Sequence, residues 1–302
     1  MLLPGMEKFQ KNNFYNVYVD EVKYSKQRWH YIGMLAINKS YENNFFNFLN
    51  DTRKKCDYFG EIKFYKTKKK NGPIIEIALS WIQEFNNHFL SQKEGNDIYF
   101  HVLGIDSDKI CFDKFGANKK SEEYYNVYSR FFRTALKGLY GHYLKHKTQS
   151  LIANRICNVF HDSEGYLENK HAYFKRQLQK AMIEDSEIAI ENKNIIFINS
   201  NHNEEPLYKT ESIFIQFVDL ITGTIAFCLD GENFKYKGRN EIASEMMQTL
   251  PKLIEPQSYS YNYNISFFPS EKIKKYYKDI EKHGTFYKKR AFAILSSANY
   301  TI

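Results

Sequence analysis

Cysteine is scarce in this chain and poorly spaced for metal chemistry. Cys56, Cys111, Cys157 and Cys228 are scattered, and no pair approaches a zinc-ligand spacing, so they read as reduced small hydrophobes. Proline and glycine are sparse too, at 6 and 14 in 302 residues. No Ser/Gly-rich linker, internal repeat or low-complexity tract is visible, so one main domain with ample length for a core is expected. Met1 to Lys8 shows no basic region followed by a long apolar core. No secretory signal is read there, and a cytoplasmic location is expected.

Long apolar runs are absent except for one, Ser212 to Leu229. At about 18 residues it is just long enough to span a bilayer. Against that reading, Asp219 at a bilayer centre costs roughly 2.5–3.5 kcal/mol and Gln216 adds to it, so a buried helix of a soluble protein, with no membrane partner, is expected. On a helix, Ser212, Gln216, Asp219 and Gly223 fall within about 60° of one another, while Phe, Ile, Val and Leu cover the rest. An unpaired buried carboxylate costs several kcal/mol, so Asp219 needs a partner. A metal ion or another cation is expected, with a structural Arg or Lys as the alternative.

Charge of one sign is in excess. Lys and Arg total 43 against 35 Asp and Glu, giving +8 and a pI near 9.0. Nucleic acid is the polyanionic partner this favours, with a protein partner as a second expectation. Lys66, Lys68, Lys69 and Lys70 form one basic cluster, and Lys282 to Arg290, with Lys288 and Lys289, forms another. Both interleave aromatics (Phe64, Tyr65; Phe286, Tyr287), which stack on bases or pack in a core. For each cluster a solvated lysine face is the preferred reading, with nucleic-acid binding as the alternative.

Periodicity organises the rest. Phe14 to Val19 and Trp29 to Asn38 read as a hairpin, Tyr41 to Lys55 as a helix, Gly60 to Tyr65 as a short extended piece, and Ile74 to Leu90 as a helix after Pro73. Ile98 to Ile105 is a strand ending at Asp106, Glu122 to Lys145 a long helix, and Ile156 to Phe160 a strand closed by His161 and Asp162. Helix over Leu167 to Glu184, strand over Ile195 to Ile198, and helices over Asn240 to Leu250 and Glu271 to Lys282 complete the pattern. Such an order predicts an α/β protein, a mixed sheet flanked by helices.

In such sheets ligands gather at strand ends, where Asp20, Asp106 and Asp162 recur. Glu61 opens the extended piece and Asp219 joins from the apolar helix. Clustered carboxylates persist when cations neutralise them, and Mg²⁺ or Mn²⁺ prefers such all-oxygen ligands. Two ions about 3.5–4 Å apart can clamp the attacking and leaving oxygens of a phosphodiester. Lys63, two residues from Glu61, would steady an attacking water or developing charge, or form a salt bridge to a carboxylate.

The series Tyr18-Val19-Asp20-Glu21, Gly60-Glu61-Ile62-Lys63, Val159-Phe160-His161-Asp162-Ser163 and Gln216 to Gly223 resembles the family called domain of unknown function 3800. The resemblance covers about residues 14 to 229. Its most specific piece is the family's Leu-Gln-X-Ala-Asp-X-X-X-Gly pattern, with Ile215 in place of Leu and Val218 in place of Ala. The first motif departs as well: Val22-Lys23 stands where the family has Ser-Gly. The resemblance implies an RNase H-like mixed sheet flanked by helices, assigned to residues 1–230; the helical pattern beyond it makes residues 231–302 an expected helical extension packed on the same domain. It further implies a metal-dependent nuclease of bacterial mobile-element or phage-defence settings, with Asp20, Glu61, Asp162 and Asp219 as metal ligands, Glu21 and Lys63 beside them, and Asp106 in reserve.

Other readings compete. Glu61-Ile62-Lys63 also fits half of a restriction-endonuclease-type site with Asp51 or Asp57, which leaves Asp162 and Asp219 without a role. A small phosphate ester is an alternative substrate for the same carboxylates. From another class comes a catalytically silent module that binds nucleic acid or protein through its basic, aromatic surface.

Overall fold

A computed structural model describes residues 14–23, 29–90, 97–107, 110, 120–140, 154–163, 171–184, 188–230, 236–250, 253 and 263–268. Two long antiparallel strands, β1 (Phe14–Lys23) and β2 (Trp29–Asn38), form the expected hairpin. Helix α1 (Glu42–Lys55) follows, then a single 3-10 turn (Phe64–Lys66) and α2 (Pro73–Leu90), whose first residue has the preset φ that starts a helix. Next come β3 (Ile98–Asp106), α3 (Lys120–Leu139), β4 (Arg155–Asp162), α4 (His171–Glu184) and β5 (Ile195–Ile198). The chain continues through α5 (Lys209–Asp230), α6 (Lys237–Met246) and β6 (Tyr263–Phe268).

The strands make one mixed sheet in the order β5-β4-β1-β2-β3-β6. β2 runs antiparallel to β1 and β3, while β4 lies parallel to β1, β5 to β4 and β6 to β3. Being central, β1 is buried on both faces, which is why its sequence is nearly continuous in apolar and aromatic residues rather than alternating. Tyr18, Leu35 and Phe100 project into a core with α1, α2, α5 and α6. Val17, Val19 and Met34 point the other way, into a core with α3 and α4.

α5 lies against β1, β2 and β4. It is long and apolar enough to cross a membrane, with a mean hydropathy of 1.8, yet 94% of that stretch is buried inside the protein, so its apolar surface is spent on the core. Gly33 of β2 permits this fit, since a Cβ there would overlap the Thr222 hydroxyl of α5.

Two expectations need correction. The segment from Gly60 to Tyr65 is no strand: it has no regular structure up to Lys63, whose backbone is extended, and then turns. Its backbone donors are met by side chains of α5 instead of a neighbouring strand. The region after residue 230 is not purely helical either, because β6 pairs with β3 as an edge of the main sheet. The helix expected over Glu271 to Lys282 and the basic cluster from Lys282 to Arg290 lie outside the described residues, as does Cys111.

Candidate active site

Register brings the first two aspartates together. Val19 and His161 are paired across parallel β1 and β4, so Asp20 and Asp162, the next residues on each strand, stand side by side. Strand alternation aims both toward α5, with Tyr18 and Phe160. Glu21 therefore faces the opposite side of the sheet. There its carboxylate accepts a 3.0 Å hydrogen bond from Tyr128 of α3 and lies 3.8 Å from His161. It neighbours Asp20 in charge but is no member of the same pocket. Asp106 is buried at the far end of β3, opposite Trp29. It sits two strands from β1 and four residues beyond Val102, which shares the row of Gly33 and Asp20. Strand spacing puts it about 10 Å across and about 13 Å along from Asp20, so it is no reserve ligand.

The polar stripe of α5 works as a zipper for two loops. Ser212 donates to the Asn199 carbonyl at 2.6 Å, and Gln216 Nε2 donates to the Ser200 carbonyl at 2.6 Å. Gln216 Oε1 accepts the Ile62 N–H at 2.9 Å and Arg53 Nη1 at 3.1 Å. Asp219 Oδ2 accepts the Phe64 N–H at 2.6 Å. One turn on, Gly223 leaves room for the loop: a Cβ there would come within 2.6 Å of the Phe64 Cβ. Asp219 thus has a backbone partner that its helical context did not announce.

Lys63 is the cation among the carboxylates. Its ammonium, 5% exposed, donates to Asp162 Oδ2 at 3.3 Å and lies 3.6 Å from Glu61 Oε1. Glu61 also accepts from Lys66 Nζ at 2.8 Å and from Ser200 Oγ at 2.9 Å. Burial pushes Glu61 up, but the Lys66 hydrogen bond and the Lys63 charge outweigh it and hold the carboxyl below its ordinary value. The other two aspartates go the opposite way. Burial, and then the negative charges of Asp162 and Asp219, raise Asp20 well above the usual carboxylate range, against the pull of Lys63. Asp219 is pushed up to about 7 by burial, which outweighs the Phe64 N–H and Lys63. Burial, first of all, holds both groups toward their neutral forms, and at Asp20 the neighbouring carboxylates add to it.

Ion pairs and electrostatic proximity therefore link Asp20, Glu61, Lys63, Asp162 and Asp219 into one cluster. Their oxygens are the donors that Mg²⁺ or Mn²⁺ takes, and a divalent cation would offset the cost of ionising the two raised aspartates. Among the described residues, no three His, Cys, Asp or Glu side chains already converge as a closed set of metal ligands. Lys63 instead holds Glu61 and Asp162. An open cleft of about 370 Å³ adjoins the group, lined by Glu61, Lys63, Ser163, Asn199, Ser200, Asn201 and Glu204.

Sequence reasoning missed Ser200 and the hub at Arg53. Fully buried, Arg53 donates to the Gly60 carbonyl at 2.7 Å and to Gln216, and contacts a ring nitrogen of His202 at 3.0 Å. Burial lowers the guanidinium to about 10, and burial with the Arg53 charge lowers His202 to about 4, so His202 is neutral. A signal for Arg53 existed: it shares the apolar stripe of α1 with Phe45, Leu49 and Thr52. Ser200 had none, since its role depends on how β5 abuts the loop at Glu61. Asp51, on the exposed face of α1, pairs with Lys54 at 3.0 Å, in keeping with a surface role.

No known family model matches the chain, and no curated protein matches its sequence.

Proposed function

We propose that this protein is an RNase H-like, metal-dependent nuclease that hydrolyses nucleic-acid phosphodiester bonds at the carboxylate group of Asp20, Glu61, Asp162 and Asp219. The observation that carries the reading is the convergence of Asp20 and Asp162, at adjacent ends of parallel strands, with Asp219 from the helix packed on that face. An RNase H-like site asks for an Asp on the first strand, another on a later strand and a third on such a helix. Burial raises Asp20 and Asp219, a cost that a bound cation would offset, which supports the reading.

Two bound Mg²⁺ or Mn²⁺ ions would supply a nucleophilic hydroxide and neutralise the charge that develops on the phosphate. The chain's own residues do the rest. Asp20, Asp162 and Asp219 furnish oxygen ligands, and the Phe64 N–H fixes one oxygen of Asp219 and so the orientation of its carboxylate. Ser200 and Lys66 orient Glu61 at the mouth of the cleft. Lys63, anchored between Glu61 and Asp162, places a positive charge beside the cleft that receives the phosphate. Three described cysteines are free thiols, which supports a reducing, cytoplasmic setting.

A second reading, a catalytically silent nucleic-acid- or protein-binding module, is favoured because, among the described residues, no three His, Cys, Asp or Glu side chains are placed to hold a metal ion, and because Lys63 forms salt bridges with the carboxylates. The test is cleavage of labelled DNA and RNA strands with Mn²⁺ by the parent and by Asp219→Asn. Cleavage by the parent that the mutant loses supports the nuclease. Inactivity of a Mn²⁺-loaded parent on every strand supports the silent module.

A further inference from the structure

A basic ridge borders the carboxylates, and it is built from two distant segments. Tyr65 to Lys70 supplies Lys66, Lys68, Lys69 and Lys70, and the start of α6 supplies Lys237 and Arg239. No acidic residue occurs between Ile62 and Ile75 or between Tyr236 and Asn240. The segments are clasped together. Gly238 N–H donates to the Lys68 carbonyl at 3.4 Å, and Arg239 Nη2 donates to the Tyr65 carbonyl at 3.1 Å. The Arg239 guanidinium stacks over Phe64 and Tyr236 at 5.0 and 4.9 Å, and Lys68 caps Tyr236 at 5.6 Å.

Such crowding of like charge is unfavourable by itself and favourable against a polyanion. Within the ridge Tyr65 is 52% exposed, with the Lys66 ammonium 5.8 Å from its ring centre. An aromatic face open to solvent amid lysines suits an unstacked base beside its phosphates, whereas the bases of a duplex are already stacked. The ridge leads directly to the pocket, because Lys66 pairs with Glu61 and Phe64 holds Asp219.

We propose that the ridge of Tyr65 to Lys70 and Tyr236 to Arg239 binds single-stranded nucleic acid, its phosphates along the lysines and a base stacked on Tyr65. The proposal rests on the nuclease reading for its purpose, but the binding it describes needs no metal. It is tested by fluorescence anisotropy of a fluorescein-labelled 15-mer of thymidylate over a range of salt, in EDTA. Lys68 and Lys69 are exposed, so the double variant Lys68→Ala/Lys69→Ala leaves the fold intact. It should flatten the log–log salt slope by about 1.4, or about 0.7 per lost phosphate contact. Tyr65→Ala should weaken binding about 5- to 100-fold with little change in slope. A Lys175→Ala/Arg176→Ala control on exposed positions of α4, the helix layer on the other face of the sheet, should change neither.

An unchanged slope in the lysine variant, an unaffected Tyr65→Ala, or no strand binding by the parent at low salt overturns the proposal. Tight binding of a 15-base-pair duplex that ignores Tyr65→Ala does so too. Because these measurements contain no divalent ion, strand binding without Mn²⁺-dependent cleavage rejects only the nuclease, and cleavage that survives the ridge variants rejects only the ridge.

Discussion

Replacing Asp219 with Asn removes one charge while keeping the oxygen that accepts the Phe64 N–H. In the unfolded chain an aspartate loses its proton near pH 3.9, whereas folded Asp219 keeps it up to about 7. Between those values the native protein binds more protons than the unfolded one, so this group's contribution to stability falls as pH rises through that window. Above pH 7 the ionised carboxylate then costs the metal-free fold up to about 4 kcal/mol. That is an upper bound, since one edge of Asp219 meets solvent. Lys63 keeps Glu61 and Asp162 as partners, so the mutation strands no buried cation. Urea unfolding in EDTA should find Asp219→Asn more stable than the parent at pH 8, with the gap closing toward pH 4. Excess Mn²⁺ at about 100 times its dissociation constant should add about 2.7 kcal/mol to the parent and less to the mutant. A mutant clearly weaker than the parent at pH 8 in EDTA would refute the reasoning, because the charge would then be something the fold needs.

Gln216→Leu leaves the Ile62 N–H, the Ser200 carbonyl and one Arg53 donor without their partner, at about 1–3 kcal/mol each, and chemical denaturation should show a loss of several kcal/mol. Gly33→Ala drives a methyl into the Thr222 hydroxyl, so it should cost about 1–3 kcal/mol, and adding Thr222→Ala should recover most of that in a double-mutant cycle. Lys63→Met keeps the bulk but removes the charge between Glu61 and Asp162; without metal the melting temperature should fall, and Mn²⁺ should restore part of it.

Much of the fold could be read from periodicity, and the reasons are local. Long, strongly patterned elements such as α2 and α5 were bounded within a few residues, and the β1–β2 hairpin followed from two apolar runs around a polar gap. What failed was context. Gly60 to Tyr65 looks extended because Ile62, Phe64 and Tyr65 favour strands, yet the Ile62 and Phe64 N–H groups donate to Gln216 and Asp219, over 150 residues away. β6 is a short edge strand whose identity comes from pairing with β3. In the candidate site, Asp20, Asp162 and Asp219 were legible from strand ends and a polar stripe. Glu21 stands beside Asp20 in charge, as expected, though strand alternation turns it to the other face of the sheet, and Asp106 was placed by counting strand ends without their order in the sheet.

The central claim is that the carboxylates hold a divalent ion, and manganese anomalous diffraction from crystals soaked in MnCl₂ addresses it most directly. A strong anomalous peak within bonding distance of the Asp20 and Asp219 carboxylates is the predicted result. Contradiction would be an anomalous map empty at that pocket in millimolar Mn²⁺, with Lys63 still bridging Glu61 and Asp162.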